Sequence, residues 1–225
     1  MAIDKRLASA AEALADVADG ASVMISGFGG AGFPNALIRA LREAGPRGLT
    51  LIVNSATHRF SLTHELIEAG QVRRVVCTAA RGHEAALSAF ERLLREGRIE
   101  LECVPQGTFS ERIRAGGAGV PAFYTPVGVG TPLAAGKETR EFGGRTHVLE
   151  HAIRADVALV RADRADRYGN LAFRYAQANF GPAMATAARL TVAEVRAFAD
   201  APLPHAEIQL PGVFVRRVVA VGDAR

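Results

Sequence analysis

The chain has 225 residues, of which 49% are hydrophobic and 22% charged; that is long and apolar enough to bury a core of its own, and it excludes disorder as the main state. Two cysteines exclude a disulfide framework and suit a reducing compartment. Twenty-seven Lys+Arg against 23 Asp+Glu give +4 and a pI near 9.6, an excess that attracts anions such as phosphates and carboxylates, while the absence of a long basic block and 6% aromatic content argue against a nucleic-acid partner.

Apolar residues at helical spacing (Leu7, Ala11, Leu14, Val17) predict a helix over 4–18, ended by Asp19-Gly20. Ser22 to Ser26 reads as a buried strand, followed by a glycine loop from Gly27 to Phe33. Pro34 stands where a first helical position is expected, and Leu37, Ile38 and Leu41 form the buried stripe of that helix. The rhythm repeats: strand 49–53, helix 62–69, strand 72–78, helix 84–96, strand 99–104, helix 109–115. Strands alternating with helices predict a mostly parallel sheet covered on both faces, an α/β three-layer fold.

Beyond Gly116 the texture changes. The uncharged stretch Ala115 to Gly136 holds six glycines and three prolines, a poor membrane helix and too long for an ordinary connector, so it reads as a functional loop. Strand-like runs follow at 139–142, 146–149, 157–160, 171–173, 190–195 and 213–219, with helical signal mainly at 182–188. One domain over 1–225 is expected, richer in strand from about 117. The start lacks the apolar core of a signal peptide, so a cytoplasmic location without membrane attachment is expected.

The loop Gly27-Phe28-Gly29-Gly30-Ala31-Gly32 fits G-x-G-x-x-G between a strand and a helix. A dinucleotide reading asks for an acidic residue at the end of the next strand. That strand ends instead in Asn54-Ser55, and Ser55, His58 and Arg59 suit a 2′-phosphate, which keeps an NADP-binding oxidoreductase open. More generally, glycines admit a ligand close to backbone N–H groups, and the helix after Pro34 offers a positive dipole end to any oxyanion. His147 and His151 would share a helix face as metal ligands do, but their run reads as strand and no third ligand is placed, so no metal site is expected. Cys77 and Cys103 each sit in a predicted strand and read as buried thiols. Arg161, Arg164 and Arg167 read as a solvated face.

A wider pattern joins these pieces. Asp19-Gly20, then Ser26-Gly27-Phe28, Gly32 and Pro34 resemble the signature of the first (A, or α) subunit of family I coenzyme A transferases, with Ser26 where that family prefers glycine. Val104 to Thr108, Glu111 to Pro126, Gly130-Thr131, Gly136 to Glu138, Arg140 to Phe142, Ala155 to Val160, Asp166 with Gly169 to Leu171, and Asn179-Phe180 resemble it as well. The resemblance runs from about Asp19 to Val219. It implies the fold of such transferases, shared by analogy with sugar-phosphate isomerases, and transfer of coenzyme A from an acyl-CoA such as succinyl-CoA to a 3-oxoacid such as acetoacetate or 3-oxoadipate. The coenzyme A thioester is then a substrate, and no permanently bound cofactor is expected.

The resemblance also implies a division of labour. The family's nucleophilic glutamate lies in a Ser-Glu-Asn-Gly motif of the second (B, or β) subunit, and none of the fifteen glutamates here precedes Asn-Gly. A partner of that second kind is therefore expected to supply the nucleophile, in an α2β2 assembly. By residue-to-residue match, Asn54 donates to the thioester oxyanion and Gln106 hydrogen-bonds near the reacting carboxylate; read locally, Asn54 also suits a strand-end turn and Gln106 a helix cap. Ser55 stands where the family usually has a second asparagine, and Ala56-Thr57 replaces its usual Ala-Gly. Gly27, Phe28, Gly29, Gly30 and Gly32, with Ser55, are expected to bind substrate in a cleft where the two subunits meet. The 116–136 segment forms a second wall, and Phe123 and Tyr124 pack either there or in the core. A free-standing sugar-phosphate-binding domain of similar fold is the non-catalytic alternative.

Overall fold

The computed structural model describes residues 3–82 and 86–222. The order of elements is β1 (Arg6–Leu7), α1 (Ala10–Leu14), β2 (Ser22–Ile25), α2 (Asn35–Ala44), β3 (Leu49–Ser55), α3 (Thr63–Glu68), β4 (Val72–Ala79), α4 (Ala89–Arg95), β5 (Glu100–Cys103) and α5 (Gln106–Ala118). Then come β6 (Ala122–Thr125), β7 (Thr139–Phe142), β8 (Arg145–His151), β9 (Ala155–Ala165), β10 (Leu171–Ala172), α6 (Gly181–Ala187), β11 (Ala188–Phe198) and β12 (Arg217–Ala220).

The main sheet runs β1-β12-β11-β9-β2-β3-β4-β5, every neighbour parallel, with β10 added antiparallel to β9. Its strands alternate between two buried faces. Leu51 and Val53 of β3 point into one core with Leu37, Ile38 and Leu66 from α2 and α3. Ile52 points into the other, with Phe109 and Ile113 of α5 and Met184 of α6. Helices thus cover both faces, which is why these strands read as continuous apolar runs. The order reverses at β2: β3, β4 and β5 lie outward on one side, and β9, β11 and β12 on the other. Ligands of open α/β sheets bind at such a switch point, beyond the strand C-termini.

Several boundaries move from the sequence expectation. The predicted helix 4–18 is instead a strand, Arg6–Leu7, paired with Val218 and Val219, and a helix of five residues. Ser9 starts that helix by accepting from the Glu12 N–H at 3.1 Å. Helix 84–96 begins at Ala89, under a Ser88–Glu91 capping box; residues 84 and 85 of that expectation lie outside the described residues. The helix expected from 109 begins at Gln106. Pro34 occupies the position before helix α2, not within it.

The glycine- and proline-rich stretch 116–136 is not one long loop. It completes α5, forms β6 and ends in a 3-10 turn, Pro132–Ala134. Gly116 and Gly117 serve packing, since a Cβ on either would stand 2.1 Å from Ile153 O or Thr186 Oγ1 respectively. Strand β6 joins β8 and β7 in a three-stranded antiparallel sheet, where Tyr124 is half-buried, bonds Glu138 and packs on Phe142 at 5.3 Å. A chain of charges ties this sheet to the main one. Glu102 of β5 accepts from Arg74 of β4 and Arg112 of α5, both at 2.6 Å, and buried Glu150 of β8 pairs with Arg112 and Lys137.

His147 and His151 share strand β8, where four residues span about 13 Å, too far to hold one ion. Cys77 is buried as expected, but Cys103 is exposed, because β5 is the edge strand. Burial pushes the Cys77 thiol up to about 11.

Candidate active site

The loop after β2 is a tight hairpin. Phe28 and Ala31 exchange both backbone hydrogen bonds, at 3.0 and 3.1 Å, around Gly29 and Gly30, which have φ of 61° and 94°. Positive φ at both central positions is the geometry such two-residue turns need, and glycine adopts it without cost from a Cβ. Gly27 and Gly32 are required for a second reason. A Cβ on Gly27 would stand 2.2 Å from the Phe33 ring, and one on Gly32 2.6 Å from Gln177 O.

Two side chains fasten this hairpin. The Ser26 hydroxyl, at the place where the resembling pattern has glycine, donates to Gly32 O at 2.7 Å and accepts from Arg161 N at 3.3 Å. Asn179 uses its whole amide. Its Oδ1 accepts from Gly27 N (3.2 Å) and Phe180 N (2.6 Å), and its Nδ2 donates to Ala31 O (3.0 Å) and Ala176 O (2.9 Å). The sequence marks Asn179 only as part of a motif; its role as a clamp depends on a segment 152 residues from Gly27.

Asn54 ends β3 on the face that carries Ile52, toward α5. Only 7% of it is exposed. Its Oδ1 accepts from Gln106 Nε2 at 2.9 Å and from the Thr78 hydroxyl at 3.1 Å, and the same hydroxyl lies 2.9 Å from the Asn54 carbonyl oxygen. With Oδ1 held by Gln106 and sharing the single Thr78 proton with the Asn54 carbonyl oxygen, Nδ2 is left pointing away from them, with no partner among the described residues. The structure thus brings Asn54 and Gln106, 52 positions apart, into direct contact. Thr78, which completes the arrangement, is absent from the sequence expectation; its signal is a polar residue near the end of a buried strand, meaningful only once β4 is known to flank β3.

The glycine loop reaches the same side through aromatic contacts. Phe28 is 46% exposed, and its ring packs edge-on against Phe180 at 6.3 Å, which packs against Phe109 of α5 at 5.6 Å. Ser55 points to the opposite face of β3 from Asn54, and its hydroxyl accepts from Thr57 N at 3.3 Å.

One N–H at the start of α2 is already taken from within. Glu194 of β11, 2% exposed, accepts from Leu37 N at 2.9 Å and pairs with Arg161 at 2.8 Å. Burial raises the Glu194 carboxyl above its ordinary range, against the pull of Leu37 N–H and Arg161. The positive helix end expected to face an oxyanion is therefore satisfied in part from within, while Asn35 and Ala36 line a cavity. A carboxylate on the Leu37 N–H disfavours a pyrophosphate at that helix end, which weighs against the NADP reading. Arg161 is a largely buried partner of Glu194 at the edge of a cavity, not part of a solvated face; Arg164 pairs with Glu207, and Arg167 donates to the Tyr168 hydroxyl at 2.6 Å. A cavity of about 680 Å³ lies on the α2 side of the loop, lined among others by Gly30, Arg39, Arg174 and Glu194; neither Asn54 nor Gln106 lines it.

These features define a three-layer α/β protein with a clamped glycine hairpin at the switch point and a buried, outward-donating amide on the next strand. The chain belongs to the coenzyme A transferase family: the family profile described as Coenzyme A transferase matches residues 7–221. It is 47% identical over 223 residues to the first (A) subunit of the 3-oxoadipate CoA-transferase of Pseudomonas putida, covering 99% of this chain and 96% of that one. It is also 47% identical over 218 residues to the first (A) subunit of the succinyl-CoA:3-ketoacid coenzyme A transferase of Xanthomonas campestris pv. campestris, covering 96% and 88%. Among solved structures it resembles the decarboxylase AibA/AibB, crystallised as a cysteine-to-serine variant, with TM-score 0.82, 27% identity and coverage of 98% and 84%. The fold alone is shared with glutaconate coenzyme A-transferase from Acidaminococcus fermentans, with TM-score 0.84, 19% identity and coverage of 97% and 76%.

Proposed function

We propose that this chain is the first (A, or α) subunit of a heteromeric coenzyme A transferase that moves coenzyme A from succinyl-CoA to a 3-oxoacid, acetoacetate or 3-oxoadipate, in the cytoplasm. The end-to-end similarity to the corresponding subunits of both kinds of enzyme supports this reading, as does the lack of an Asn-Gly after any of its glutamates. The second (B, or β) subunit supplies the nucleophilic glutamate, and the assembly is α2β2. No helix among the described residues is long and apolar enough to cross a membrane.

In this scheme the partner's glutamate carboxylate adds to the thioester carbonyl and expels the coenzyme A thiolate, forming an acyl-glutamyl anhydride. The thiolate then attacks the glutamyl carbonyl, the donor acid leaves, and a glutamyl-CoA thioester remains. The acceptor carboxylate runs the same steps in reverse. Each addition drives negative charge onto a carbonyl oxygen. Asn54 Nδ2 is a donor already oriented before substrate arrives, which is what stabilising that charge requires. Gln106 fixes the amide through Oδ1, and the hairpin 27–32, with the exposed Phe28 flanking its turn, forms the wall beside it.

The observation that carries this reading is the Asn54 amide, buried and held by its oxygen with its N–H₂ left over. The test is to assemble the chain with a candidate second subunit and to follow succinyl-CoA:3-oxoacid exchange. Asn54→Ala is expected to lower kcat by about 10²–10³ while leaving the complex intact. Wild-type turnover in that variant would remove Asn54 from the mechanism. Absence of exchange with any such partner would overturn the assignment.

A further inference from the structure

We infer that Thr78 is a positioning residue for the transfer: it sets the rotamer of Asn54 and polarises its amide, without touching substrate. The inference rests on the reading of Asn54 given above. Its observation is separate, because Thr78 belongs to another strand and enters neither the glycine loop nor the α5 turn.

The Thr78 Oγ1 lies 2.9 Å from the backbone oxygen of Asn54 and 3.1 Å from its Oδ1. One hydroxyl therefore spans the main chain and the side-chain tip of a single residue. Its single proton is shared between the two oxygens, which favours the side-chain torsions that keep Oδ1 beside the backbone oxygen. Val53 pairs with Cys77 in the register of β3 and β4, and Ser55 pairs with Ala79, so Asn54 and Thr78 stand side by side on the same face of the sheet. Parallel neighbours in one register keep this contact through any movement of the loops beyond them. Thr78 is itself β-branched and stiff at χ1, so its hydroxyl is aimed by the strand.

Gln106 bonds the same Oδ1 at 2.9 Å, from the first turn of α5. Gln106, together with the single Thr78 proton that Oδ1 shares with the backbone oxygen, draws electron density from the nitrogen and strengthens Nδ2–H as a donor, the cooperative effect expected of a chain of hydrogen bonds at low local dielectric. The two donors differ in what they control. Gln106 has a flexible side chain on an exposed helix start. Thr78 is rooted in the sheet. Without the hydroxyl, Asn54 keeps one tether and gains rotamer freedom, so a smaller fraction of enzyme presents Nδ2 to the oxyanion. The loss falls on the transition state, where that charge develops.

The test uses the assembled enzyme with Thr78→Val, Thr78→Ser, Asn54→Ala and the double variant Thr78→Val/Asn54→Ala. Thr78→Val, isosteric but without the hydroxyl, is expected to lower kcat about tenfold with KM nearly unchanged. Thr78→Ser should restore most of the rate. In the Asn54→Ala background, Thr78→Val should have no further effect, since a residue acting through Asn54 has nothing left to position. Equal loss from Thr78→Val in both backgrounds overturns the inference, as does wild-type kcat in Thr78→Val. A wild-type rate for Asn54→Ala overturns the underlying reading and this inference with it; a slow Asn54→Ala beside a normal Thr78→Val sinks the inference alone. A readout independent of turnover is the side-chain amide signal of Asn54 in the full chain labelled with ¹⁵N-asparagine, which has four asparagines. That signal should shift or broaden in Thr78→Val and recover in Thr78→Ser; an unmoved signal in Thr78→Val also counts against the role.

Discussion

Replacing Gly32 with alanine is expected to unseat the glycine hairpin, whereas the same change at Gly29 leaves it in place. Both glycines have positive φ, 77° and 61°, so both substitutions incur the left-handed strain of about 1–2 kcal/mol. They differ in what the new methyl meets. At Gly29 nothing lies within 4 Å, while at Gly32 the Cβ stands 2.6 Å from Gln177 O and 2.7 Å from Asn179 Nδ2. Neither neighbour is free to move, because Asn179 spends all its hydrogen-bonding capacity on the loop and the turn before it. Relief of the overlap breaks the bonds from Asn179 to Ala31 and from Gly27 to Asn179, each worth about 1 kcal/mol. The total for Gly32→Ala is then about 3–4 kcal/mol. For a chain of this size it lowers Tm by about 6–16 °C, against about 2–8 °C for Gly29→Ala. Circular dichroism melts of the two variants at one scan rate measure the difference. Midpoints within about two degrees of each other would show that the clamp contributes nothing.

Two further expectations follow from the buried charges. Glu194→Ala leaves Arg161 without its partner and frees Leu37 N–H inside the protein, so urea unfolding should show a loss of about 3–5 kcal/mol, and Glu194→Gln, which keeps an acceptor, a smaller one; a loss near zero for the alanine variant would contradict the structure. At Glu102, burial works to raise the carboxyl, but Arg112 and Arg74 outweigh it and hold it below its ordinary 4.5. The unfolded chain therefore takes up that proton first, and stability contributed by Glu102 is present above about pH 5 and lost as pH falls through the folded value. Glu102→Gln should flatten the acid limb of a stability–pH curve, and an unchanged limb would refute the assignment.

How legible the molecule is in its sequence varies by element. The strand–helix alternation from Ser22 to Ala118, the glycine loop between a strand and a helix, and Asn54 at a strand end are readable because each is a local pattern of apolar periodicity and turn chemistry. The Ser88-x-x-Glu91 box is just as local, and it marks a later start for α4 than apolar content alone suggests. The segment 116–136 misleads because glycine has two uses. Composition alone does not tell a loop from a helix end packed so closely that a Cβ would overlap its neighbour, as at Gly117. Arg6 and Leu7 read as helix because their strand partners, Val218 and Val219, lie at the other end of the chain.

Short-range spacing, with the resemblance carried by contiguous motifs, is enough to fix the class of fold, the place of the hairpin and the identity of the two amides. Which groups stay open to chemistry is a property of the packed molecule. Glu194 takes the Leu37 N–H that local sequence leaves vacant, Asn179 grips the hairpin, and Thr78 and Gln106 turn Asn54 so that its nitrogen is the free end. The reason is that hydrogen-bond donors and acceptors are satisfied in pairs, and when the second member arrives from a distant strand, nothing near the first one announces it.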